Sequence, residues 1–295
     1  MFPFNLPGPV FLVVFVGLLI ALSLTGYFWG RRAENGPIPK LPRLDPLLLA
    51  HLRGGEAEVI RTVVVSLLDR GLLTADGVQV ETAAGVTPDL ARRPIEQAVL
   101  KRCGSAVDAR ELLTDAAVLP ACKPLGQELA AAGLLPDTMR RVMRWSRAAA
   151  LVAVYLAVAV VKAGVGLMRD APIVILVGLA LFGSILIVAA CVSPRRTPVG
   201  DAFLAGIRTF LLPLKARAAS LRPGGADADV TLLVGAFGVA VLPESTFGEA
   251  RALFPKAAAG ETIASSCGAS CGSSGCGGGG SGCGGGGGCG GCGGD

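Results

Sequence analysis

The chain has 295 residues, of which 52% are apolar, 17% charged and 5% aromatic, and its mean hydropathy is +0.61. Soluble globular chains carry roughly 25% charged residues, so this composition argues against an ordinary cytosolic enzyme. A formal charge of +5 is small for this length and argues against a dedicated nucleic-acid binder.

Val10 to Trp29 is a run of twenty residues without a charge. At about 1.5 Å per residue it covers roughly the 30 Å of a bilayer core. Nothing basic precedes it and no small-residue cleavage site follows, so an uncleaved span is the expectation rather than a secretory signal. Tyr27-Phe28-Trp29 supplies an aromatic interfacial anchor, followed by Arg31-Arg32.

From about Leu41 to Arg144 the composition becomes that of a small globular domain. Asp45-Pro46 is a helix start, a capping side chain followed by a residue preset for the first turn. This helix is expected to stop at Gly54-Gly55. A second, Glu56 to Arg70, places Val59, Ile60, Val63, Val64, Leu67 and Leu68 on one face. Gly71 ends it, and Leu72 to Glu81 reads as a hairpin with Asp76-Gly77 as the tight turn. Helices are expected again over Asp108 to Leu119 and Pro124 to Ala132, the latter closed by Gly133. Arg70-Gly71-Leu72-Leu73-Thr74 and Ala132-Gly133-Leu134-Leu135-Pro136 look like two copies of one helix exit. Two helices and a hairpin outline a winged-helix-like module, present once or as a degenerate pair. Between residues 41 and 147 there are 14 Lys/Arg and 13 Asp/Glu. No basic stripe awaits phosphates, so the expected partner is a protein and not a nucleic acid.

Ala148 to Met168 and Pro172 to Val192 form a transmembrane hairpin. Lys162 lies inside its first arm, either a functional charge or one that snorkels to the nearby interface. Basic residues cluster at Arg31-Arg32, Arg140 to Arg147 and Arg195-Arg196, all at one end of the spans. The positive-inside rule makes that end cytoplasmic and puts the amino terminus outside. Small-residue pairs at four-residue spacing, Gly17 with Ala21, Ala153 with Ala157 and Ala180 with Ser184, favour close packing of the spans.

Arg195 to Arg222 holds six basic residues and one acid. Phe203, Leu204, Ile207, Phe210, Leu211 and Leu214 share one helical face, which either lies on anionic lipid or packs on the domain. Pro213 should kink or end this helix. Val230 to Leu242 is short for a span. A buried or interfacial helix is expected, with a fourth crossing as the alternative.

Cys267 to Asp295 contains 17 Gly and 6 Cys among 29 residues. With no apolar side chain larger than alanine it cannot build a core, and disorder is expected. Cys267, Cys271, Cys276, Cys283, Cys289 and Cys292 form a candidate soft-metal site for zinc or copper(I). Only Cys289-x-x-Cys292 has zinc-ligand spacing, and no histidine joins them. A low-complexity tether and a precursor of thiazole-type modification are the other readings.

Catalytic candidates are few. His51 is the lone histidine, expected to be a partly exposed surface residue. Cys103 and Cys122 are candidates for a nucleophile or redox pair, outside any Cys-x-x-Cys arrangement. Gly-x-Ser-x-Gly, P-loop and His-Glu-x-x-His motifs do not occur, so no enzymatic function is expected.

Asn5-Leu6-Pro7-Gly8-Pro9 before the first span, Leu52 to Gly55, Gly71 to Leu73, a transmembrane pair and the Gly/Cys tail follow one another in a specific order. In that order the chain resembles a family of uncharacterised bacterial membrane proteins. The resemblance implies the architecture and no known activity. The expected organisation is mainly α: residues 1–30 with the first span, a cytoplasmic helical domain over 31–147, the membrane hairpin over 148–192, a basic juxtamembrane region over 193–260 and the tail over 261–295. The expected setting is the bacterial inner membrane. The expected role is a non-enzymatic scaffold or protein-interaction module, or alternatively a metal or thiol-redox protein working through the tail.

Overall fold

The computed structural model describes residues 8–37, 44–167, 174–192, 195–222, 224 and 228–258. The fold is mainly helical. Helix α1 (Gly8–Ala33) carries the first of three stretches long and apolar enough to cross a membrane, Val10–Ala33.

The domain begins at α2 (Pro46–Gly54). Asp45 is extended, and its carboxylate accepts from the Leu47 N–H at 2.9 Å, with Pro46 in the first turn. Helix α3 (Glu56–Asp69) buries Val59, Ile60, Val63, Val64 and Leu67. Each such side chain contributes about 1.5–3 kcal/mol on leaving water. Strands β1 (Leu73–Asp76) and β2 (Gln79–Thr82) pair antiparallel from Leu73↔Thr82 to Asp76↔Gln79. The two-residue loop is therefore Gly77-Val78, with Asp76 in the closing pair rather than in the turn.

The segment after the hairpin departs from expectation. Helix α4 (Pro94–Arg102) starts at a proline and buries Ile95, Val99 and Leu100. No helix covers Asp108 to Leu119. Strand β3 (Val107–Asp108) extends the sheet in the order β1-β2-β3. Two 3-10 turns follow, Glu111–Thr114 and Leu119–Cys122. Asp108 and Asp115 explain why: their carboxylates accept from the N–H groups of Arg110 (2.8 Å) and Ala117 (2.7 Å). Such local bonds offer the backbone an alternative to the helix.

Helix α5 (Lys123–Ala131) appears where expected. The two similar exits are the same physical motif. At Gly71 (φ 68°) and Gly133 (φ 75°) the backbone turns left-handed. Leu72 N–H then returns to Leu67 O and Leu134 N–H to Leu129 O, at 2.9 and 3.0 Å, closing two Schellman caps. Their sequels differ. The first cap leads into a hairpin; the second leads into α6 (Thr138–Leu167), so the helix-pair-and-hairpin unit occurs once.

With α7 (Val174–Val192), helix α6 completes the apolar trio, whose other candidate spans are Thr138–Val165 and Val174–Val192. The outer faces are apolar, with Val13, Val160, Val174, Leu181 and Ile185 exposed. Water would not favour such a surface; a bilayer does. Tyr155 is fully buried between the helices. Its ring stacks on Phe15 at 4.4 Å between centroids, and its hydroxyl donates to Leu179 O at 3.2 Å. Close approach does not follow the small-residue pairs read from the sequence. Gly17, Ala21, Ala153 and Ala157 point outward, and only Ala180 is buried. The tight contacts are Gly183 under the Tyr155 ring and Gly26 against Cys191 and Leu151.

Beyond the bundle the chain returns to the domain. Helix α8 (Pro198–Phe210) presses Val199, Phe203 and Leu204 onto Leu48, Leu49, Leu52 and Leu134, and Pro213 sits in the first turn of the short α9 (Leu212–Ala216). The apolar face of α8 thus packs on the domain, while Phe210 and Leu212 remain exposed. Val230 to Leu242 is part of the domain core and not a fourth crossing. Helix α10 (Ala228–Phe237) lies against α2 and α3, so close that a side chain at Gly235 would strike the Pro46 carbonyl. Helices α11 (Glu244–Leu253) and α12 (Pro255–Ala258) close the same core with Phe247, Leu253 and Phe254.

A Cβ added at Gly183 would sit 2.5 Å from the Tyr155 hydroxyl. We expect Gly183→Val to lower the thermal stability of the detergent-solubilised protein by about 1–3 kcal/mol, the usual cost of overpacking. Gly178→Ala, which meets open space, should leave it unchanged.

Candidate functional site

Charged side chains are buried where the apolar helices meet the domain. Arg144, near the start of α6, forks onto Glu34, just past α1, at 2.7 and 2.6 Å, with both side chains about 5–6% exposed. Arg144 also reaches the Arg196 carbonyl at 3.5 Å. Asp201 on α8 pairs with Arg31 and Arg196, each at 3.4 Å. Thr197 caps α8 by accepting from Gly200 N–H at 3.1 Å, and its hydroxyl faces the Gly133 and Leu134 carbonyls at 2.8 and 3.0 Å. The ends of all three long helices are thereby tied to the second Schellman cap.

A second charge cluster lies within the domain. Arg53, 2% exposed at its side chain, donates to the Glu58 carboxylate and to the Val234 carbonyl of α10. Glu58 accepts from Arg61 as well. Burial pulls the Arg53 guanidinium down from its ordinary value, and the Glu58 charge opposes this. Arg196 donates to the Arg53 carbonyl, and Arg195 to that of Gly54 at 3.3 Å. Charge-assisted bonds of this type offset much of the cost of taking ions out of water.

Two cavities, of about 930 and 680 Å³, open between the domain and the first turns of α6. His51, Glu56, Leu135, Pro136 and Arg141 line both. His51 is half-buried, its ring lying against Gly126 of α5, where a Cβ would come within 3.2 Å. Its Nδ1 is buried without a hydrogen-bond partner. Burial lowers the imidazole pKa, opposed by the Glu56 charge and a backbone hydrogen bond.

Cys103 and Cys122 are free and fully buried. Desolvation pushes their thiols up to about 11 and about 12. A thiol is reactive only as the thiolate, so burial disfavours a nucleophilic or redox role for either in the folded domain. Both act as apolar packing. Lys162 places Nζ 4.6 Å over the Phe11 ring, a cation–π contact across two spans. Cys267, Cys271, Cys276, Cys283, Cys289 and Cys292 lie outside the described residues. Among the described residues no group of three or more His, Cys, Asp or Glu side chains gathers to hold a metal.

Glu34, Arg53, Glu58, Arg144 and Thr197 escape a reading of the sequence as site residues. One signal is present: Glu34 and Asp201 are isolated acids near the basic pairs Arg31-Arg32 and Arg195-Arg196, as ion-pair partners would be. No family model, curated protein or solved structure matches the chain.

His51 gives a pH dependence. An unfolded histidine titrates near about 6.5, and the folded pKa lies lower. Above the unfolded value both states are neutral and His51 contributes nothing. As pH falls below it, the unfolded chain takes up a proton that the folded chain resists, and stability is lost. Between about pH 7.5 and about pH 5.5 the wild type should therefore lose stability relative to His51→Gln. A difference between the two proteins that stays constant with pH would count against the buried neutral imidazole.

Proposed function

We propose that this chain is a multi-pass protein of the bacterial inner membrane, acting as a non-catalytic scaffold that holds a protein-interaction domain rigidly at the cytoplasmic face. The observation that carries the reading is the junction itself. Below the buried Glu34–Arg144 fork that ties α1 to α6, bundle and domain are joined by the Arg31–Asp201 ion pair, by Arg195 and Arg196 on the Gly54 and Arg53 carbonyls and by Thr197 on the Gly133 and Leu134 carbonyls, an arrangement suited to fixing a domain's height and orientation. The basic clusters at Arg31-Arg32, Arg140 to Arg147 and Arg195-Arg196 support a cytoplasmic domain and an external amino terminus. Helix α10 belongs to the domain core, so residue 258 leaves on the domain's side of the membrane. In this reading the Gly/Cys segment beyond it is a cytoplasmic tether. The helix pair and hairpin over 46–82, winged-helix-like in outline, belong to a region whose charges nearly balance over residues 41–147, a surface for a protein partner.

Topology and tail chemistry are tested together. Cys103, Cys122 and Cys191 are buried, so a membrane-impermeant maleimide applied to cells reports on the tail without replacing them. Labelling only after lysis is expected; labelling of intact cells would overturn the orientation. Protein purified from metal-replete membranes should carry no zinc or copper at fixed stoichiometry. A constant stoichiometry abolished by Cys→Ser changes at 267, 271, 276, 283, 289 and 292 would replace the tether with a metal site.

A further inference from the structure

The larger cavity is framed by more positive than negative charge. Arg140, Arg141 and Arg147 line it from α6 and Lys123 from α5, facing the carboxylates of Glu56 and Asp137. Asp137 is engaged in holding the start of α6, accepting from Thr138 N–H at 2.7 Å. Glu34, the remaining acid of the lining, is neutralised by Arg144. The amino-terminal turn of the 30-residue α6 borders the same space and adds the positive end of its dipole. Independently of this charge count, Nη1 of Arg147 is buried without a hydrogen-bond partner, a donor that folding has withdrawn from water and left unsatisfied.

The cavity also lies at a particular depth. Arg147 Nη1 stands 3.9 Å from where a Cβ on Gly30 would be, which places its guanidinium beside the last turn of α1. Trp29 and Trp145, beside these two residues, are 60% and 56% exposed. Tryptophans so placed at the ends of apolar helices mark the headgroup layer. Guanidinium groups recognise phosphate oxygens in forked, charge-assisted pairs.

We propose that this cavity is a binding site for a phosphate-bearing anion, presented at headgroup depth by an anionic phospholipid of the surrounding leaflet and held by Arg141 and Arg147. The lipid source rests on the reading of the three apolar helices as membrane spans; the phosphate chemistry does not.

The test uses the full chain in a neutral detergent, titrated with phosphatidylglycerol or with phosphatidylcholine, with retained lipid counted by native mass spectrometry. Inorganic phosphate is titrated separately, with thermal stability as the readout. Selective retention of phosphatidylglycerol is expected, weakened roughly tenfold by Arg147→Gln, the scale of a lost charged hydrogen bond. Arg141→Gln, at an exposed position, should weaken it comparably without disturbing the fold. Arg110→Gln, exposed and outside both cavities, should change nothing. Stabilisation by inorganic phosphate that depends on Arg141, without lipid selectivity, would keep the anion site and assign it a soluble occupant. Lipid selectivity indifferent to both α6 substitutions would overturn the proposal. So would equal retention of the two lipids together with no Arg141-dependent response to phosphate.

Discussion

Glu34 and Arg144 meet at the rim where the apolar helices end and the domain begins, each nearly withdrawn from water. An isolated charge in such a place is strongly destabilising, and loss of one member of a buried pair costs about 3–5 kcal/mol. Each residue therefore holds the other, and with it the end of α1 against the start of α6. The pair also fixes the exit of α7, because Arg144 touches the Arg196 carbonyl and Arg196 reaches Asp201 and the Arg53 carbonyl. Thr197, the next residue, bonds the backbone at Gly133 and Leu134. The position of the domain over the bundle follows from this short stretch of charges and caps.

The domain core is assembled from both sides of the α6–α7 pair in the sequence. Residues of α2 and α3, far upstream of the hairpin, share one apolar cluster with α10, α11 and α12 downstream. Arg53 and Glu58 sit at that seam, and the Val234 carbonyl of α10 accepts from Arg53. The cores of bundle and domain are thus coupled through chain connectivity as well as contact. Helix α8 extends the same logic, since its apolar face is used by Leu48, Leu52 and Leu134 rather than spent on a bilayer.

Local signals in the sequence were read well where local physics decides. Long apolar runs mark three helices long and apolar enough to cross a membrane, Asp45-Pro46 starts α2, and the glycines at 71 and 133 stop helices, because length, capping and left-handed backbone are properties of neighbouring residues. The segment after Thr82 is less legible. Asp108 and Asp115 bond their own following N–H groups, and this tipped an apparently helical stretch into a strand and 3-10 turns. Packing between the apolar helices is not legible for a related reason: small residues permit close approach, but the large side chain opposite decides where it occurs. Tyr155 chose Gly183. The junction was almost invisible, since its partners lie 110 residues apart for Glu34 and Arg144 and 181 apart for Arg53 and Val234. His51 was recognisable as solitary, though not as the shared wall of two cavities.

A double-mutant cycle on Glu34 and Arg144, followed by unfolding in detergent, bears most directly on the claim that this pair seats the domain. Glu34→Gln and Arg144→Gln should each destabilise the protein. The double variant should lose less than their sum, with a coupling of about 1–3 kcal/mol. Strict additivity of the two substitutions, or single variants as stable as the wild type, would contradict a junction built on that buried ion pair.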